Sequence, residues 1–524
     1  MTEQENYRLL ADAAVLHLEG KPEEALEVLK RAAEGAEDST DLYAAMGLIH
    51  FELRHYEAAL ECYSKLLDLQ PRQKAALFNQ AVCLERLGRW GESRETYETV
   101  VETDPDNAQA HLGLGSCLLH LGRHEAARAA FESCLALSPG HKDALLGKAI
   151  ALHLGGQLEE AEAAYGEVLI VHPDSEEAIS NLMSIGVQRK DVKTVRDNAE
   201  RLLKIRPRSS TALAGLAAVA FANAEFEEAA LFLRDLLEIS PDDVESRFNL
   251  GVAYQKLGRL AEAVEAYAQA AQQEPGSAQI QFNLGLAYQQ KGEFGSAEAA
   301  YERALELSPE LDVARWNLAL VLEQMERLDE AQQLYQELLE GGPAWAKACF
   351  RLGHLRIRSG DFRGAADAFR TCLKSHPNWV EARLNLAFAC FKLEELDAAR
   401  SEFETVLESN PESIEALRGV AEISVLNTDY TLALDACRRL IALERAPEYL
   451  YNAGLVCQRE GMLEEACRFY KQALEEKPEF AEACLNLGHT LSTLGKDKEA
   501  LRYWRRALEL KPELVAGYFS GTAA

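Results

Sequence analysis

Nowhere in the 524 residues do two cysteines form a Cys-x-x-Cys pair, although eleven cysteines are present. That spacing commonly marks structural zinc sites and dithiol redox motifs. Cys83, Cys117, Cys349 and Cys484 instead sit inside helical apolar stripes. They read as small buried hydrophobes in a reducing compartment. Basic residues are also scarce: 55 Lys and Arg stand against 85 Asp and Glu, a formal net charge of −30. A phosphate backbone needs a basic footprint, so the balance excludes nucleic acid as the main ligand and at most attracts basic partner segments. No apolar run is long enough to span a bilayer, so no membrane insertion is expected. The opening Met-Thr-Glu-Gln-Glu-Asn has no basic start and no apolar stretch, and the cytoplasm is the expected location.

Catalytic signatures are missing as well. No glycine-rich phosphate loop follows a strand, because no convincing strand exists. His120 and His124 stand one helical turn apart, with no third metal ligand in view. Acidic pairs such as Glu159-Glu160 and Glu464-Glu465 recur at the starts of helices, where the positive helix terminus suits them. The chain is read as a non-enzyme, without catalytic residues, metal or cofactor.

Proline is sparse, and its placing organises the chain. Pro71, Pro105, Pro139, Pro173, Pro207, Pro241, Pro275, Pro309, Pro343, Pro377 and Pro411 are 34 residues apart. Pro478 and Pro512 resume the spacing after a one-residue deletion near Pro447. The text between prolines repeats too. Phe248-Asn-Leu-Gly-x-x-Tyr254, then Ala263, Tyr267 and Ala270, is followed by Phe282-Asn-Leu-Gly-x-x-Tyr288, Ala297, Tyr301 and Ala304.

The physics of the repeat is that of a helical hairpin. Gly or Ala at the eighth position (Gly47, Gly115, Gly251, Gly285, Gly353, Gly454, Gly488) marks a close approach of two helices. Ala at the twentieth (Ala25, Ala59, Ala127, Ala161, Ala229) reads as the matching small residue of the second helix. An aromatic four residues on (Tyr63, Tyr165, Tyr301, Phe369, Trp504) shares its face and is expected to fill the next layer. The proline ends the second helix. One hairpin cannot bury its apolar face alone, so hairpins must stack.

This pattern resembles the tetratricopeptide repeat consensus, from about Asn6 to Leu514. The resemblance implies an all-α, right-handed superhelical solenoid of about fifteen hairpins over residues 6–514, with first helices lining a concave groove. Residues 515–524 would form a short tail or partial cap, with Tyr518 and Phe519 over the last layer. The solenoid ends also offer surfaces for self-association into a homo-oligomer. The sixth unit, Glu176–Ser209, diverges, with Met183 at the eighth position, Val195 at the twentieth, and Gly186 and Ala199 where bulky residues pack. Its second half is basic. A drifted repeat, a softer joint and a docking patch for an acidic surface are all consistent with it.

Asparagine recurs at the sixth position: Asn79, Asn181, Asn249, Asn283, Asn317, Asn385, Asn452 and Asn486. It is a poor helix former, so repeated use inside helices suggests a purpose. The row is similar to the asparagine ladder in the repeat arm of O-linked N-acetylglucosamine transferases, where amides grip an extended peptide backbone. That transferase's catalytic region has no counterpart here. A second pattern is similar to the dicarboxylate clamp by which relatives hold acidic C-terminal tails of heat-shock chaperones. Gln279 and Asn283, then Asn317, then Lys347 and Arg351 occupy its positions, Gln279 replacing a lysine. Lys347 and Arg351 are four apart and share a helix face. The reading is a scaffold that binds extended segments of partner proteins, through Asn249, Gln279, Asn283, Asn317, Lys347, Arg351 and Asn385. The alternative is a regulatory or substrate-recruiting arm of a glycosyltransferase-like or other enzyme complex.

Overall fold

The computed structural model describes residues 3–34, 39–340 and 346–515. Among them are thirty α-helices, one short 3₁₀ turn at Pro512–Leu514 and no strand. The helices pair in chain order into fifteen antiparallel hairpins, as the repeat predicts. Two compact bodies are formed, Met1–Gln273 with eight hairpins and Glu274–Ala524 with seven. Pro343, Tyr518 and Phe519 lie outside the described residues.

Each hairpin turns at the same point. The fifteenth position has positive φ in every unit: nine are glycines, and Arg54, Lys190, Ala224, Glu326, Glu394 and Thr428 hold the same left-handed conformation at φ 57–60°. Only glycine takes that region without a steric cost from Cβ. At the junctions between hairpins, the proline carbonyl accepts a guanidinium from the following hairpin. Arg201 donates to Pro173 and Arg383 to Pro377, both at 2.7 Å, and Arg506 to Pro478 at 2.8 Å.

The aromatic at the twenty-fourth position fills two spaces at once. It reaches the next hairpin, as Phe131 does at Gly147, and it also packs inside its own unit. Its ring lies directly over the eighth-position glycine of the same unit. A Cβ built on Gly47 would sit 2.8 Å from Tyr63, one on Gly115 2.6 Å from Phe131, and one on Gly353 2.5 Å from Phe369. These glycines are therefore small because a ring needs the space. The twentieth-position alanines are fully buried, as Ala59, Ala263 and Ala399 show. In the third hairpin Ser93 replaces alanine there and donates to the Ala81 carbonyl at 2.9 Å.

The sixth hairpin follows the same geometry with its sizes exchanged. Ala199 stands where a ring is usual, and Met183 stands where glycine is usual. The Met183 side chain fills the gap from the opposite helix, its Cε lying 2.4 Å from a Cβ built on Gly215. Gly186 makes room for Val195 in the same way, at 2.8 Å. Three of the eight basic residues of this hairpin form ion pairs, and Arg201 donates to the Pro173 carbonyl. Arg189 pairs with Glu162 at 2.8 Å, Arg196 with Glu225 at 2.6 Å and Arg206 with Glu176 at 2.8 Å.

Candidate functional site

The first helices carry the sixth-position residues, and these lie beside the plug of the preceding hairpin. Where the sixth position is glycine, the missing Cβ is replaced by that plug: Gly113 by Tyr97, Gly147 by Phe131 and Gly419 by Phe403. In the third hairpin it is asparagine, and the amide meets the same region. Asn79 donates to the Tyr63 hydroxyl at 3.2 Å.

The plug hydroxyls have a second partner that the sequence reading missed. Tyr267 donates to Gln255 at 3.0 Å, Tyr301 to Gln289 at 2.6 Å, Tyr470 to Gln458 at 2.7 Å and Tyr97 to Glu85 at 2.8 Å. Tyr335 donates to Glu323 in the same way. All five acceptors stand at the twelfth position of the same unit. The recurrence of Gln or Glu there was the available signal, and it accompanies tyrosine plugs. With Phe131, Phe369 and Phe403 the twelfth residue is Leu119, Ile357 and Phe391. Burial raises the phenol pKa of Tyr267, Tyr301 and Tyr470 well above its ordinary value, so these groups stay protonated donors.

The asparagines do not act alike. Asn181, Asn283, Asn317 and Asn385 fold back to donate to the carbonyl four residues earlier in their own helix, at 2.7–2.9 Å. Asn486 is 1% exposed and donates to Tyr451 at 2.9 Å, so it belongs to the core. Asn452 alone of the eight is exposed.

Of the clamp residues, Gln279, Asn283, Asn317, Lys347 and Arg351 all belong to the second body, with Asn385, while Asn249 lies in the first. Gln279 and Lys347 are exposed. Arg351 reaches back to Glu323 at 3.3 Å, the carboxylate that also accepts from Tyr335. Asn385 approaches His354 at 3.5 Å. Burial, with the Arg351 charge beside it, holds the His354 pKa below the ordinary imidazole value. Among the described residues no group of three or more His, Cys, Asp or Glu is arranged to hold a metal ion. No described helix is long and apolar enough to cross a membrane.

A stack of helical hairpins with a polar face of first-helix side chains defines a class of repeat proteins that bind other proteins. The chain belongs to the tetratricopeptide repeat family. Models of that repeat match residues 44–98, 85–141 and 248–312, residues 118–184, 288–348 and 356–423, and residues 447–480 and 481–514. Repeats of this family are generally non-enzymatic interaction modules, and the chain is in that broad sense a protein-interaction scaffold. Solved structures similar to it include MamA, at 27% identity over 32% of this chain and 97% of that one, TM-score 0.30. A tetratricopeptide repeat protein from Parabacteroides merdae is 17% identical over 48% of this chain and 98% of its own, TM-score 0.34. A structure of Naa15/Naa10 bound to HypK-THB aligns at 14% identity with 99% of this chain and 95% of that one, TM-score 0.34.

Proposed function

We propose that the second body holds an extended segment of a partner protein along its first helices, using Gln279, Asn283, Asn317, Lys347, Arg351 and Asn385. Asn249 would supply an equivalent amide in the first body. The observation that carries this reading is the orientation of three amides. Asn283, Asn317 and Asn385 each spend an N–H on their own helix. That hydrogen bond fixes the side chain and leaves the carbonyl oxygen as an acceptor for a main-chain N–H of a bound peptide. Acceptors at Asn283 and Asn317, 34 residues apart, and at Asn385, 68 residues further on, would grip backbone without regard to sequence.

Lys347 is exposed and makes no ion pair with any described residue, which suits it to a carboxylate of the segment. Arg351 contributes less by itself, because Glu323 already answers part of its charge. A guanidinium has five N–H donors and can bridge two carboxylates, so the pairing does not disable it. The test uses a peptide with two acidic residues before a free C-terminus, titrated into the full chain. Changing Lys347 and Arg351 together to Ala should weaken binding at least about tenfold, a loss of roughly 1.4 kcal/mol. Amidating the peptide C-terminus should do the same. Unchanged affinity in both arms would remove the carboxylate grip. If an Asn283, Asn317 and Asn385 triple substitution to Ala also had no effect, the groove reading would fall.

A further inference from the structure

Fourteen of the fifteen hairpins carry a bulky plug, at the twenty-fourth position in thirteen of them and at the eighth position in the sixth hairpin. The plug is Tyr in seven hairpins, Phe in three, Trp in one, Leu in two, and Met183 in the sixth. The thirteenth has none. Ala421 and Cys437 hold its eighth and twenty-fourth positions, and Asn452 the sixth position of the next hairpin. Its twelfth residue is Val425, so no Gln or Glu stands there to accept from a phenol. An opening of about 480 Å³, lined by Ala421, Cys437 and Asn452, lies between the helices Ile414–Leu426, Tyr430–Leu443 and Pro447–Arg459. Ala421 is the one eighth-position residue of the fifteen that is not buried, and Asn452 is the one exposed asparagine of the row. The same junction is where the 34-residue spacing loses a residue.

The cleft has an apolar interior and a charged mouth. Cys437 and Leu440 form the floor, and Val425, Val456 and Leu455 are among the residues of its wall. Arg418 and Arg459 stand at the mouth, both exposed and without an ion pair to any described residue. Two carboxylates also line it. Glu448 is answered by Lys477 at 3.6 Å, which leaves Glu422 against two guanidinium groups. Two guanidinium groups facing one free carboxylate leave the mouth with a local positive excess in a chain of net charge −30. The volume is that of a ligand site, since pockets of about 300–1,000 Å³ hold small ligands and an apolar void of about 150 Å³ takes up benzene.

We infer that this cleft is a side-chain pocket for a partner segment: it takes one bulky apolar side chain where the repeat's own ring is missing, and Arg418 and Arg459 hold a carboxylate next to that side chain. Arg is the side chain whose planar fork fits a carboxylate best. The pocket adds selectivity to the sequence-tolerant amide row and rests on the peptide-binding reading above.

The test selects random hexapeptides displayed on phage against the full chain and against Cys437→Phe, which supplies the missing ring. Selected peptides should carry an aromatic or leucine-like residue within two positions of Asp or Glu. Their affinity should fall at least about tenfold in Cys437→Phe, measured by fluorescence polarisation, with helicity unchanged. Should Cys437→Phe not fold, Arg418→Gln with Arg459→Gln provides the second arm, since both side chains are exposed. That pair should weaken acidic peptides by a similar factor and leave their Asn and Gln counterparts unaffected. Peptides that bind the wild type and Cys437→Phe equally would overturn the pocket, as would a selected motif that is basic. If such peptides lose binding only when Asn317 and Asn385 become Ala, the groove reading survives while the pocket falls. A library that yields no binder to the wild type removes both.

Discussion

One methyl group is the difference between a packed hairpin and a strained one at the eighth position. In Gly353→Ala the new Cβ would lie 2.5 Å from the Phe369 ring, a distance at which ring or helix must move. Overpacking of this kind costs about 1–3 kcal/mol. Gly166 is the control, in the middle of the helix Leu158–Val171 with nothing within 4 Å of its built Cβ. Gly166→Ala should stabilise by about 0.5–1 kcal/mol through helix propensity alone. Urea unfolding of the two variants should show opposite signs. The same sign in both would dismiss the ring as the reason for glycine at the eighth position.

At the scale of the hairpin, the sixth unit is an exchange of sizes across two helices. Met183 is 4% exposed and belongs to a core with Ile179, Ala199, Leu202, Ala212 and Leu216. Removing it in Met183→Ala should cost about 2–5 kcal/mol and accelerate amide exchange over residues 176–209 and their neighbours. Restoring a ring in Met183→Gly with Ala199→Tyr should recover much of the loss, because the space is shared. No recovery would mean that the sixth unit packs by a rule of its own. The turn makes a second element-scale prediction. Thr428 is β-branched yet holds φ 59°, where nine other hairpins use glycine. Thr428→Gly should raise stability by about 1–2 kcal/mol, the steric cost of a Cβ in the left-handed region. A loss of stability would show that the threonine side chain contributes more than its backbone strain removes.

Over the molecule as a whole, burial governs the thiols. All eleven cysteines are buried and unpaired. Burial pushes the Cys83 and Cys372 thiols up to about 12 and Cys117 up to about 11, so almost no thiolate exists at neutral pH. A disulfide reagent should therefore titrate the native chain slowly and all eleven thiols quickly after denaturation. One fast thiol in the native chain would identify a cysteine that the packing does not shield. Within each body the helices contact mainly their chain neighbours. Stability should then be close to a sum of local terms, and the costs of distant substitutions such as Gly353→Ala and Met183→Ala should add.

Hairpin count and buried small residues were legible in the sequence because a 34-residue period repeats the same local choice fifteen times. Pattern alone could place Gly353 and Phe369 in one hairpin. It could not say that the ring fills the glycine's missing Cβ, since which side chain occupies a shared space depends on all the residues around it. For the same reason Met183 looked like drift, and only the packed helices show it doing the work of a ring. The sixth-position asparagines were visible as a row. Their division into backbone-bound Asn283, Asn317 and Asn385, core Asn486 and exposed Asn452 follows from what stands opposite each one. Lys347 and Arg351 look equivalent as text, yet only Arg351 has Glu323 across from it. The cleft at Cys437 is the clearest case. A cysteine among apolar residues reads as core, and only the packed helices show that Ala421 and Asn452, from two other helices, line an opening beside it.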